Sequence, residues 1–267
     1  MSAPGKLGTS LVGLLLLTIL LGLAWMPFDP NAIDLDHPLA APGLHHWFGT
    51  DEFGRDVLSR AMLGARISVL IALGAVTLAI TAGTTLGLLA GYLRGWTDRM
   101  LMMVTDAVLA FPSILLALAL IAVLGSSDSS IVFALATGYT PSVVRVVRSA
   151  VLSIREREFI EASRVAGDNA IQTMARHVLP NIVPPVVVLA TSLFGLALLS
   201  ESALSFLGVG VPPPAPTWGN MLSASRTYMD VASWLSIAPG LCIAGTLLGI
   251  NLLGDALRDW LDPRGRT

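Results

Sequence analysis

The 267-residue sequence predicts an all-α integral membrane protein with six transmembrane helices. Three observations carry that expectation. Hydrophobic residues make up 54% of the chain and charged residues 13%, against roughly 45–50% and about 25% in soluble domains. The apolar residues gather in six runs, each near the roughly 20 residues that cross a hydrocarbon core. The basic residues fall mainly on one side of those runs.

The first run covers about 7–25 and follows Lys6. Gly22-Leu23-Ala24 offers a weak signal-peptide cleavage pattern, yet the run exceeds the roughly 7–15 residues of a signal core, so a retained helix is expected. The remaining runs cover about 67–89, 106–124, 131–147, 182–200 and 234–253. With both termini in the cytoplasm, the inner side holds Lys6, Arg94, Arg99, Arg145, Arg148, Arg155, Arg157, Arg164, Arg176, Arg258, Arg264 and Arg266. The outer side then holds Arg55, Arg60, Arg66 and Arg226. Two long external stretches, about 26–65 and 201–233, are rich in Pro, Gly and Trp. Neither is long enough for a separate domain, so a single membrane domain over 1–267 is expected. The tryptophans at 25, 47, 96, 218, 234 and 260 all fall where interfacial anchors belong. Pro112, Pro141, Pro184, Pro185 and Pro239 fall within runs, which suits a gated path and equally suits ordinary membrane helices. Asp106, Glu201 and Asp255 sit at expected helix ends, either as boundary residues or as pathway groups.

The absent motifs exclude several chemistries. The only lysine, Lys6, stands in Pro4-Gly5-Lys6-Leu7, so the chain carries no phosphate-cradling loop of its own. His37, His45, His46 and His177 lack metalloprotease spacing, and Cys242 stands alone, so no metal site, cofactor site or disulfide is expected. No serine stands in a nucleophile elbow. Nothing points to catalysis or to nucleic acid.

One polar stretch interrupts the apolar pattern. Residues 145–180 hold six arginines, four acids and one histidine. Phe159 to Ala166 carries apolar positions at helical spacing, among Glu156, Glu158, Glu161 and Arg164. Gly167 can end that helix, Asp168 or Asn169 can cap a second, and Pro180 limits it. A short amphipathic helix on a basic loop suits docking to another protein.

The loop also carries a family pattern. Glu161-Ala162-Ser163, then Gly167, then His177-Val178-Leu179-Pro180 resembles the EAA loop of ABC importer permeases. Ser163 stands where that pattern has alanine and His177 where it has isoleucine. The stretch from His46 to Arg60, HWFGTDEFGRDVLSR, resembles a signature of the peptide and nickel branch. So does Ala203 to Gly210 with Pro213 and Trp218-Gly219-Asn220-Met221-Leu222. The resemblance runs from about residue 45 to about 262.

It implies a MetI-like ABC permease fold and a subunit that imports di- or oligopeptides, or alternatively nickel chelates or haem. It also implies a second, B-type permease subunit, P-loop ATPases (separate or fused) that bind ATP and magnesium, and an external substrate-binding protein. Coupling to the ATPase would fall to Phe159, Ile160, Glu161, Ala162, Ser163, Arg164, Gly167 and Asp168, with Val165 and Ala166 adding apolar contact. Arg55, Asp56, Arg60 and Trp218 would serve external docking or gating, or Arg55, Asp56 and Arg60 form a structural ion-pair cluster. Ser113, Thr137, Tyr139 and Ser192 either line the path or bond helix to helix. A gradient-driven secondary transporter is the reading from another class, and the inverted repeats and midplane charges it needs are not apparent.

Overall fold

A computed structural model describes the backbone of residues 3–261; among these the only extended pairing is an isolated bridge between Thr50 and Asp56. Helix α1 (Ala3–Ala24) is apolar after Lys6 and lies at the edge of the bundle. Helix α2 (Val57–Leu93) starts well before the apolar run that marks it in sequence. Its start is set by Asp56, whose carboxylate accepts from both the Ser59 amide and the Ser59 hydroxyl at 2.8 Å.

The helix expected over 106–124 is a correction. The chain forms α3 (Gly95–Leu109) and α4 (Ser113–Leu124), bent by 89° across the break. Pro112 has no amide hydrogen and bars the preceding Phe111 from continuing a helix, so the turn closes there. At 12 residues α4 spans about 18 Å, well under a hydrocarbon core of about 30 Å.

Helix α5 (Asp128–Arg155) runs parallel to α2. Gly83, Gly87 and Gly91 oppose Val143, Val147 and Val151 in turn, and a Cβ at the three glycines would come 2.5, 2.7 and 2.8 Å from the valine Cβ atoms. Small residues at helical spacing let the two backbones close on each other. Parallel spans need an odd number of crossings between them, so α3 and α4 together make one. Arg148 grips Asp98 through both carboxylate oxygens, and Arg145 reaches Asp106 at 2.7 Å, which holds α3 against α5.

After α5 come α6 (Glu158–Val165), α7 (Ala170–Thr173), a π turn over Met174–Val178, and α8 (Leu179–Phe206). Pro180 does not limit the second loop helix as expected. The Leu179 amide reaches back to the Met174 carbonyl in the wider π turn, and the helix passes through Pro180 instead of stopping before it. Helix thus continues from Ala170 to Phe206. The short α9 (Trp218–Ser225) and a 3-10 turn over Arg226–Tyr228 precede α10 (Trp234–Leu261).

Contacts along the helices fix which ends share a face. Gly8 meets Leu252 and Gly249 meets Leu11, so α1 and α10 are antiparallel; Gly254 meets Thr191 and Gly195 approaches Leu247, so α10 and α8 are too. The Arg155 guanidinium donates to the Tyr92 carbonyl at 2.7 Å, which levels the ends of α5 and α2. The start of α1, the ends of α2, α5 and α10, and the start of α8 therefore form one basic face. Arg55, Arg60, Arg66 and Arg226 lie toward the opposite face. Arg264 and Arg266 lie outside the described residues. The buried core sits among α2, α5 and α8, with Ala72, Ala75, Ala79, Val143, Val147 and Leu198 fully or almost fully covered. Leu14, Leu17 and Leu20 of α1 stay exposed, as lipid-facing residues should. Trp25, Trp47, Trp96 and Trp260 are exposed as expected of anchors. Trp218 is not: only 1% of it is accessible.

Candidate functional site

The loop on the basic face is a braced knob. Its first helix, α6, ends at a hinge where Gly167 takes φ +96°, a conformation that β-carbons oppose. Of the two candidate caps for the second helix, Asn169 takes the role. Its side chain accepts from the Gln172 amide while Gln172 returns a bond to the Asn169 amide, both at 2.9 Å. Asp168 serves the hinge instead. The Ser163 hydroxyl donates to its carboxylate at 2.8 Å and lies 3.3 Å from the Thr173 hydroxyl, and His177 stands 3.4 Å away. The Ser163 bond first, then His177 and the field of Arg176, hold the Asp168 carboxyl below the usual carboxylate range.

This bracing divides the expected contact residues. Phe159, Glu161, Ala162, Val165 and Ala166 are exposed, Val165 at 88%. Ile160 is completely covered and joins the core, and Ser163 is buried in the hinge. Both are corrected from contact to positioning residues: a helix of two turns can face a partner only if its other side is fixed to the body. The side chain of Arg164 lies outside the described residues.

On the opposite face, the motif around Gly49 to Arg60 is a folded cap. Asp51 accepts from the Phe53 and Arg55 amides and, at 2.6 Å, from the Arg55 guanidinium. Gly54 takes φ +74°, and a Cβ there would strike the Asp34 carbonyl. His46 meets the second oxygen of Asp56 at 2.9 Å, and Arg60 donates to the Pro30 carbonyl at 3.0 Å. Asp51, Asp56 and Arg60 are all buried and Arg55 nearly so. Arg55 and Arg60 both pair with Asp51, at 2.6 and 3.5 Å, while Asp56 pairs with His46 and caps α2, so the three residues act inside the cap without forming one cluster among themselves. Trp218 is likewise internal. Its indole donates to the Ala61 carbonyl at 3.0 Å and its amide to Ser68 at 3.3 Å.

Among the suggested path residues, Tyr139 bonds helix to helix, donating to Ser200 at 2.8 Å. Thr137 and Ser192 bond carbonyls of their own helices, and Ser113 packs against Gly138. Two features escaped the sequence reading. The Gly83, Gly87, Gly91 stripe was legible as a four-residue repeat of small residues. Glu201 is the other: α8 runs on to Phe206 beyond it, and its side chain is fully buried.

Long apolar helices around a small-residue core, with a short amphipathic helix on one face and a folded cap on the other, make a multi-span integral membrane protein. Residues 83–267 match the family described as binding-protein-dependent transport system inner membrane component, and the chain belongs to it. It is 46% identical over 229 residues to the dipeptide transport system permease protein DppC of Alkalihalophilus pseudofirmus, covering 86% of this chain and 75% of that one. It is 42% identical over 240 residues to the glutathione transport system permease protein GsiD of Pectobacterium atrosepticum, covering 90% and 80%. A solved chain of the methionine ABC transporter MetNI, in an inward-facing conformation, superposes with a TM-score of 0.62 at 18% identity, over 74% of this chain and 94% of that one. That likeness establishes the MetI-type permease fold. The protein is therefore a multi-pass inner-membrane permease of an ABC importer, a family that works with ATPase and binding-protein partners. Permease subunits of ABC transporters are generally non-catalytic.

Proposed function

We propose that this permease carries short peptides inward as half of a path completed by a second, homologous subunit, and that α6 is where ATP-driven motion enters it. The basic face lies in the cytoplasm, in keeping with the excess of Lys and Arg there. Separate or fused P-loop ATPases bind ATP and magnesium, and a binding protein delivers peptide to the cap. The observation that carries the reading is the braced helix Glu158–Val165, whose outer side presents Phe159, Glu161, Ala162 and Val165 while Ile160 and Ser163 fix its inner side. A partner groove would take the apolar pair, and Glu161 with Arg164 would set the orientation. A link fixed at its back transmits displacement into α5 and α8 as rigid bodies. Peptide as cargo is favoured by the dipeptide and glutathione permeases that the chain resembles across most of its length.

Reconstituted vesicles test this. Uptake of a dipeptide that persists with ATP after ion gradients are collapsed supports the reading; uptake lost on collapse selects a gradient-driven carrier. Uptake of nickel chelate or haem without dipeptide would overturn the cargo alone. Glu161→Lys and Gly167→Asp should insert normally but lose ATPase copurification or ATP-driven uptake. Normal values for both in both variants would sink the coupling assignment.

A further inference from the structure

The buried carboxyl of Glu201 has no place in the function described so far, and its surroundings give it one. Glu201 is fully buried near the outer end of α8. The Ser205 hydroxyl donates to one oxygen at 2.8 Å and the Ser202 hydroxyl lies 3.5 Å from the other. Ser68 on α2 and Thr217 at the start of α9 face the same carboxyl, and the Ser68 hydroxyl accepts from the Trp218 amide of α9 at 3.3 Å. All four hydroxyl residues are themselves buried. The carboxyl therefore sits where three elements meet: two membrane helices and the external helix.

Packing around it leaves no slack. A Cβ at Gly219 would strike the Ser202 carbonyl, and one at Gly210 would strike Ser205. Ser223 of α9 adds a bond to the Phe206 carbonyl at 2.9 Å. From this knot, continuous helix runs back through 37 residues, about 55 Å, to Ala170 beside the docking helix. A polar group removed from water is costly unless satisfied, and here buried polar groups of three segments converge on one carboxyl, so parting the segments strands hydrogen-bonding groups.

We propose that Glu201 is a positioning residue that clamps the external helix α9 to α2 and α8, so that a binding protein pressing on the outer cap displaces the same helix that carries the docking knob. The inference rests on the importer reading above. Glutamine at this position retains an acceptor and a donor for the same hydroxyls; alanine retains neither.

The test uses the assembled transporter in proteoliposomes with its ATPases and loaded binding protein. The readout is the ratio of ATPase rate with and without binding protein, normalised to ATPase copurified. Glu201→Ala should lower that ratio about tenfold, and Glu201→Gln should hold it within about twofold. Should Glu201→Ala fail to insert, Ser205→Ala, which removes the 2.8 Å bond to the carboxyl, carries the test with the same expected loss. An unchanged ratio in the inserted variant, or equal losses for alanine and glutamine, overturns the clamp. Wild-type complex showing no stimulation and no uptake would instead overturn the importer reading itself.

Discussion

The hinge of the docking loop turns on three side chains: Ser163, Asp168 and His177. Because the folded-state carboxyl of Asp168 lies below its ordinary 3.8, its contribution to loop order is complete above that value and is lost only as pH falls through the lowered one. The protection of amides 166–173 against hydrogen exchange in nanodiscs, relative to the intrinsic rate at each pH, should therefore stay constant from neutral pH down to about 4 and fall below it. Ser163→Ala removes the main cause, so the fall in protection should begin at higher pH. Identical profiles for the two proteins would show that the Ser163 bond does not set this behaviour. Gly54 gives a second case at this scale. Its φ of +74° and the Asp34 carbonyl beside it leave no room for a methyl group. Gly54→Ala should cost about 2 kcal/mol and open residues 26–56 to protease, which limited proteolysis with thermal melting would detect.

Among elements, the contact of α2 with α5 is the one most sensitive to volume. Gly87 faces Val147 so closely that an added Cβ would lie 2.7 Å from the valine Cβ. Without water to drive association, helices in a bilayer depend on such close fit. Gly87→Ala should therefore destabilise the purified protein by about 1–3 kcal/mol, and adding Val147→Ala should recover part of it. Thermal unfolding in detergent measures both; simple additivity of the two losses would contradict the fit. The break between α3 and α4 follows from local chemistry of a different kind. Pro112 was visible in sequence, but whether it kinks a helix or ends one depends on whether a neighbour takes over the polar half. Here Arg145 and Arg148 of α5 do so, holding Asp106 and Asp98.

For the whole molecule the decisive question is which face meets the cytoplasm. After Cys242→Ser, single cysteines at Glu161 and at His45 should report opposite sides. A membrane-impermeant maleimide applied outside intact cells should label position 45 and spare 161, and inverted vesicles should reverse the pattern. Labelling of 161 from outside would overturn both the orientation and the coupling role of α6.

Composition and hydropathy were enough to establish a membrane bundle, and five of the six spans could be located because an apolar run of about 20 residues has few other uses. The loop around Glu161 and Gly167 was likewise legible, since a glycine hinge and capping residues act locally. What the chain order could not convey was which way side chains turn. Ile160 and Phe159 are neighbours with similar hydropathy, yet one is buried and the other half-exposed, because only packing against the rest of the bundle chooses the face. The same holds for Arg55, Asp56, Arg60 and Trp218, which read as surface groups until the cap closes over them. Glu201 needed the third dimension most. Its carboxyl is bonded by Ser205 and Ser202 and faced by Ser68 and Thr217, and polar groups so far apart in sequence meet only once three helices have converged.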